Sequence, residues 1–172
     1  MNRQKSTGST NLKSLMDMLA SKDGMIRKKA RKSLVDLGTP AVSSLIRMLQ
    51  NSSVDHVRWE AVKTLGAIGD AKAIPRLVKA LDDNDHDVAW LAAEALSRFK
   101  KIAWPSLLRK LIQDGSESVL LRQRAHHVFR NQKEDGFNDL LGTLNKALKS
   151  KTVSESTPLA AYDILKLLRA KS

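Results

Sequence analysis

Leu45-Ile46-Arg47-Met48-Leu49, Leu77-Val78-Lys79-Ala80-Leu81 and Leu107-Leu108-Arg109-Lys110-Leu111 are three copies of one pattern. Each opens on a leucine, continues with an apolar residue and places another leucine four positions on. Weaker copies flank them at Leu15-Met16-Asp17-Met18-Leu19 and Leu140-Leu141-Gly142-Thr143-Leu144. Successive copies are separated by 30, 32, 30 and 33 residues. Residues four apart share one face of a helix, so each copy marks the buried stripe of a helical segment. A fixed period of this length marks a solenoid, whose units stack because none buries its apolar face alone. The expected fold class is all-α, an α-solenoid of about four helix–turn–helix units with a lone capping helix at each end.

Each of these second helices has a first helix before it. Ile26, Ala30, Leu34 and Leu37 line one face of a helix over about 25–37, which Gly38 ends. Thr39-Pro40 then predicts a capping threonine and a proline at the first helical position. Val57, Ala61, Leu65 and Ile68 repeat the stripe, with Gly69 as the stop and Asp70 as the next cap. Val88, Ala92, Leu96 and Phe99 form the third stripe, and Leu121, Ala125 and Phe129 the fourth. Ala30, Ala61, Ala92 and Ala125 hold one position, where a larger side chain would push neighbouring helices beyond the usual 8–10 Å. The organisation expected is a disordered tail over 1–10, repeats over 11–149, a polar linker over 150–157 and a C-terminal capping helix over 158–172. The first helix is expected over 11–21, with Thr10 as its cap.

Composition narrows the class of partner. The net charge is +12 over 172 residues, and it is uneven. Residues 1–50 hold ten Lys/Arg against three Asp/Glu, whereas residues 51–100 hold seven against eight. Such a surplus favours acidic partners: nucleic acid, an anionic membrane surface or an acidic protein. Cysteine is absent, which excludes disulfides, thiolate metal sites and a cysteine nucleophile. The stretch 1–10 is polar and does not read as a secretory signal. No run approaches the roughly 18 apolar residues a spanning helix needs. A cytoplasmic protein without membrane insertion is expected.

The segment Asp55-His56-Val57-Arg58-Trp59-Glu60-Ala61-Val62-Lys63-Thr64-Leu65-Gly66-Ala67-Ile68-Gly69-Asp70, continued by Ala73-Ile74-Pro75-Arg76-Leu77-Val78-Lys79-Ala80-Leu81, resembles the HEAT-like repeats. The resemblance is to the short bacterial kind known from phycobilisome-associated lyases, and it covers about residues 12–149. It implies a right-handed solenoid with first helices outside and second helices lining a concave surface. It implies no activity, because scaffolds, lyase subunits, iron hydroxylases and DNA glycosylases share the fold.

The iron hydroxylases place His-Glu pairs in the first helix, where this chain has Trp59-Glu60 and Trp90-Leu91. A di-iron site is therefore not expected. His126-His127 is the one histidine pair, but helical neighbours point about 100° apart and chelate poorly. One of the two is expected partly buried and the other solvated. Glu60 and Glu94 read as isolated carboxylates on helix surfaces, paired with Arg58 and Arg98. Trp104 falls at the core position also held by Val42, Ile74 and Phe137, and is expected to pack rather than to read a damaged base. No phosphate loop or nucleophile elbow is present. Neither a catalytic residue, a metal ligand nor a cofactor is assigned.

Binding has three candidate surfaces. Arg47, Lys79 and Arg109 follow the repeat leucines at an exposed position, and Arg76 lies just before Leu77. If second helices line the concave face, these four cations form a groove for an acidic protein surface or peptide. The alternative is a groove that follows the phosphate backbone of DNA or RNA. Arg27, Lys28, Lys29, Arg31 and Lys32 form a further basic cluster, with no Glu at i±4 to balance it. Trp59 and Trp90 share one outward position in adjacent repeats, a candidate contact patch. The function expected is a non-catalytic binding or scaffold module.

Overall fold

A computed structural model describes the backbone of residues 4–171 and the side chains from Asn11 to Lys171. Among the described residues there are ten α-helices, three short 3-10 turns and no strand. They form two compact units, Met1–Arg76 and Leu77–Ser172.

The first unit contains α1 (Gln4–Leu19), α2 (Gly24–Leu37), α3 (Thr39–Asn51) and α4 (Asp55–Ile68). Helix α1 begins at Gln4, seven residues before the expected Asn11, so Thr10 lies inside the helix rather than capping it. The expected disordered tail covers residues 1–3, which lie outside the described residues, and the start of this helix. Helix α2 starts where the Asp23 carboxylate accepts from the Met25 N–H at 2.7 Å. It stops at Gly38, whose φ of 71° suits only a residue without a side chain. The same glycine precedes the first turn of α3, so Thr39 enters that helix and is not its cap.

Helix α4 ends on Gly69 in the left-handed conformation, φ 73° and ψ 19°. The Asp70 side chain then caps a 3-10 turn through the Lys72 N–H at 2.9 Å. Ala30, Leu34, Ala41, Leu45, Ala61 and Leu65 are each 0% exposed, so the alanine register and the leucine repeat meet in one core. Full burial of a leucine stabilises by roughly 1.5–3 kcal/mol.

Helix α5 (Ile74–Lys79) carries the boundary between the units. In the second unit a 3-10 turn, Ala80–Asp82, leads to α6 (His86–Arg98), capped by Asp85 through the Val88 N–H at 2.9 Å. Lys100, with φ 51°, turns the chain into α7 (Trp104–Asp114). Ser118 caps α8 (Val119–Phe129), and α9 (Asn138–Leu148) follows. Trp104, 1% exposed, packs its ring 6.0 Å from Phe129 and 5.8 Å from Phe137, so its place in the core is as expected.

Helix α10 (Ser156–Ala170) packs against both α7 and α9. The segment leading into it is fastened down. The Ser154 N–H donates to the Ser116 carbonyl at 3.1 Å, and Ser154 and Thr157 are both buried. A Cβ on Gly115 would lie 2.9 Å from Thr157 Cγ2, which leaves room there only for glycine.

Candidate binding surface

The arginines sort into those that build the repeats and those that face solvent. Counting back three residues from Ala30, Ala61 and Ala125 gives Arg27, Arg58 and Arg122. Each reaches back over the start of its own helix to carbonyls of the preceding turn. Arg27 Nη1 donates to the Ser21 and Lys22 carbonyls at 2.9 and 2.8 Å. Arg58 Nη1 donates to the Ser52 carbonyl at 3.3 Å. Arg122 Nη1 donates to the Gly115 and Ser116 carbonyls at 2.7 and 2.6 Å.

Arg122 also donates to the carbonyls of Ser150, at 3.3 Å, and Thr152, and is 0% exposed. Two of these acceptors follow the C-termini of α7 and α9, where the partial negative charge of a helix end suits a cation. Arg124, also buried, donates to the Leu81 carbonyl. The third repeat has Ala89 at this register. Sequence reasoning missed Arg122 and Arg124, although the register count from Ala125 points to Arg122.

Arg76 belongs with this structural group. It is half-buried and donates to the Leu49 carbonyl at 3.2 Å, closing the end of α3. It does not stand as an exposed groove cation. Arg47, Lys79 and Arg109 are exposed as expected, and none forms an ion pair with a carboxylate among the described residues. Arg47 donates to the nearby Ser44 hydroxyl at 3.0 Å.

The cluster on α2 is split. Arg27 Nε lies 3.1 Å from Glu60 Oε1, and Arg31 Nη1 pairs with Glu60 Oε2. Glu60 is buried, so it is neither isolated nor on the surface. Nor does it pair with Arg58, which bonds Asp55 at 2.7 Å. Residues two apart on a helix do not face each other, which separates 58 from 60. The acid paired with Arg27 and Arg31 thus comes from α4 and not from α2 itself. Lys28, Lys29 and Lys32 remain exposed. Lys28 and Lys32 are four apart and Lys29 and Lys32 three apart, and each like-charge pair destabilises by roughly 0.2–0.5 kcal/mol. Glu94 does pair with Arg98, at 2.6 Å.

Trp59 is half-buried, with Lys63 Nζ 4.2 Å from its ring centroid. Trp90 is 40% exposed and lies between two imidazoles, His86 at 6.2 Å and His127 at 4.3 Å. His126 and His127 are both half-buried, rather than one partly buried and the other solvated. Burial pulls both below the usual histidine range; Lys149 and Arg130 add to this for His126, and Arg130 for His127. Among the described residues no group of three or more His, Asp or Glu could hold a metal ion. No described helix is long and apolar enough to cross a membrane.

Paired helices at a period near 31 residues, a fully buried alanine at one register of the first helices and glycine stops define an all-α helical-repeat protein. HEAT repeats match residues 42–128, just over half of the chain, and the chain belongs to that family. No curated protein matches it. HEAT repeats generally mediate protein–protein interaction in scaffolding roles, and the family is generally non-enzymatic.

Proposed function

We propose that the chain is a non-catalytic binding module that recognises an acidic protein partner through its second helices. The observation that carries this is the cation at one register of three repeats. Arg47 in the first unit, and Lys79 and Arg109 in the second, are all exposed and all without a carboxylate partner among the described residues. A face kept merely soluble mixes both signs of charge, whereas one sign kept at one register suits an anionic ligand.

Fluorescence anisotropy tests the reading, with labelled poly-glutamate, duplex DNA, single-stranded DNA and RNA as probes. The Arg47→Glu/Lys79→Glu/Arg109→Glu variant is titrated alongside. Stronger binding of the acidic polypeptide than of the nucleic acids, lost in the variant, supports it. Tighter binding of nucleic acid, with a log–log salt slope of about −3 or steeper that the variant flattens, replaces it with a phosphate-backbone reading.

A further inference from the structure

The first unit carries another basic feature, on α2. At 100° per residue, Met25, Lys28, Lys29, Lys32 and Asp36 fall within about 100° of the helix circumference. All five are exposed, Met25 at 73%. The opposite side holds Ala30 and Leu34 in the core and points Arg27 and Arg31 at Glu60. The buried acid therefore fixes the two arginines and leaves the three lysines to solvent. Nothing on the helix balances Lys28 and Lys29, and Asp36 stands at the far end of the stripe. Repulsion within the stripe is borne without an ion pair among the described residues, and such local conflicts concentrate where a surface has work to do.

We propose that this stripe, on a first helix and apart from the second-helix register, docks an acidic, amphipathic protein segment, an inference that rests on the acidic-partner reading above. Its carboxylates would lie on Lys28, Lys29 and Lys32, and an apolar side chain on Met25 and the neighbouring Ile26, which is 39% exposed. The exposed cations here are all lysines, compact point charges that accept carboxylates at many angles, while the forked guanidiniums are used on Glu60. Met25, flexible and apolar, suits a peptide side chain and has no role toward a phosphate backbone. Because the clamp holds Arg27 and Arg31 before any partner arrives, the lysines are presented on an ordered helix face.

Two labelled peptides of equal length and charge test this, one poly-glutamate and one with leucine at every fourth position. Against the full chain, the leucine-bearing peptide is expected to bind at least tenfold more tightly. Lys28→Gln/Lys29→Gln/Lys32→Gln is expected to weaken both peptides at least tenfold, and Met25→Ser only the leucine-bearing one. These exposed substitutions leave the circular dichroism unchanged and do not lower the Tm, which excludes unfolding as the cause. Unchanged binding by the lysine variant, with loss in Arg47→Glu/Lys79→Glu/Arg109→Glu, overturns the α2 surface and keeps the wider reading. Equal binding of the two peptides, or tighter binding of duplex DNA, overturns the acidic amphipathic segment as the occupant. Failure of the wild-type chain to bind either peptide overturns both.

Discussion

Arg27 and Glu60 meet across two successive first helices, Nε to Oε1 at 3.1 Å, and Arg31 holds the other oxygen of the same carboxylate. One buried acid thus ties α2 to α4 and neutralises part of the densest basic stretch in the chain. Both arginine side chains stay about one-fifth exposed while the glutamate is closed off, so the cations keep some hydration and the acid depends on them.

Glu60→Gln is expected to lower stability by roughly 2 kcal/mol, because two guanidiniums lose their shared charge while the neutral amide still occupies the site. Urea denaturation reads the loss directly. A double-mutant cycle with Arg31→Met should show a coupling of at least about 0.5 kcal/mol, and additivity would show that the pair is not energetically joined.

Arg122→Ala is expected to cost about 3 kcal/mol or more, since carbonyls of Gly115, Ser116, Ser150 and Thr152 lose their donor together. Arg122→Lys should recover only part of this, because one ammonium cannot span four acceptors set around a planar fork. Amide exchange of Ser154, whose N–H bonds the Ser116 carbonyl, should quicken in both variants.

Ala92→Leu is expected to destabilise by roughly 1–3 kcal/mol through overpacking, as Ala92 is 0% exposed. The exposed change Ala67→Leu, also within a first helix, should move the urea midpoint little.

Stability should also fall below about pH 6.5. The imidazoles of His126 and His127 are held below the ordinary histidine value of 6.5 when folded, so the unfolded chain takes up their protons first as pH drops. The contribution is full above 6.5 and is lost as pH falls through the folded values. His127→Gln should flatten the urea midpoint between pH 7 and pH 5 relative to wild type; an unchanged slope would remove His127 as a source.

The leucine period and the alanine register are enough to place the core, because burial repeats with the helix and leaves a trace in every copy. Gly38 and Gly69 are legible for a similarly local reason, since their positive φ excludes most side chains. Charge partners are not. Nearness in sequence assigns Glu60 to Arg58, whereas its partners lie 33 and 29 residues away. Register makes Arg76 a groove cation, but in this repeat it closes the end of α3. Long side chains choose partners by tertiary geometry, and a helical wheel contains none of it. The serines and threonines around the start of α10 suggest a linker, yet the Ser154 N–H, the Thr152 carbonyl and the Thr157 hydroxyl are what fasten the segment.

The backward reach of Arg27, Arg58 and Arg122 also tells an engineer where this chain should be cut. A helix pair that begins at a first helix resembles the natural module, yet that cut severs each guanidinium from the turn it holds. A segment that includes the helix before each first helix keeps these arginines with the carbonyls of the turn between, although Arg122 also needs Ser150 and Thr152 beyond α9. The duplicated stretch and the mechanically complete stretch are therefore out of phase by one helix. Ala89 marks the junction where no arginine of this register is cut, although a splice there still parts Arg124 on α8 from the Leu81 carbonyl.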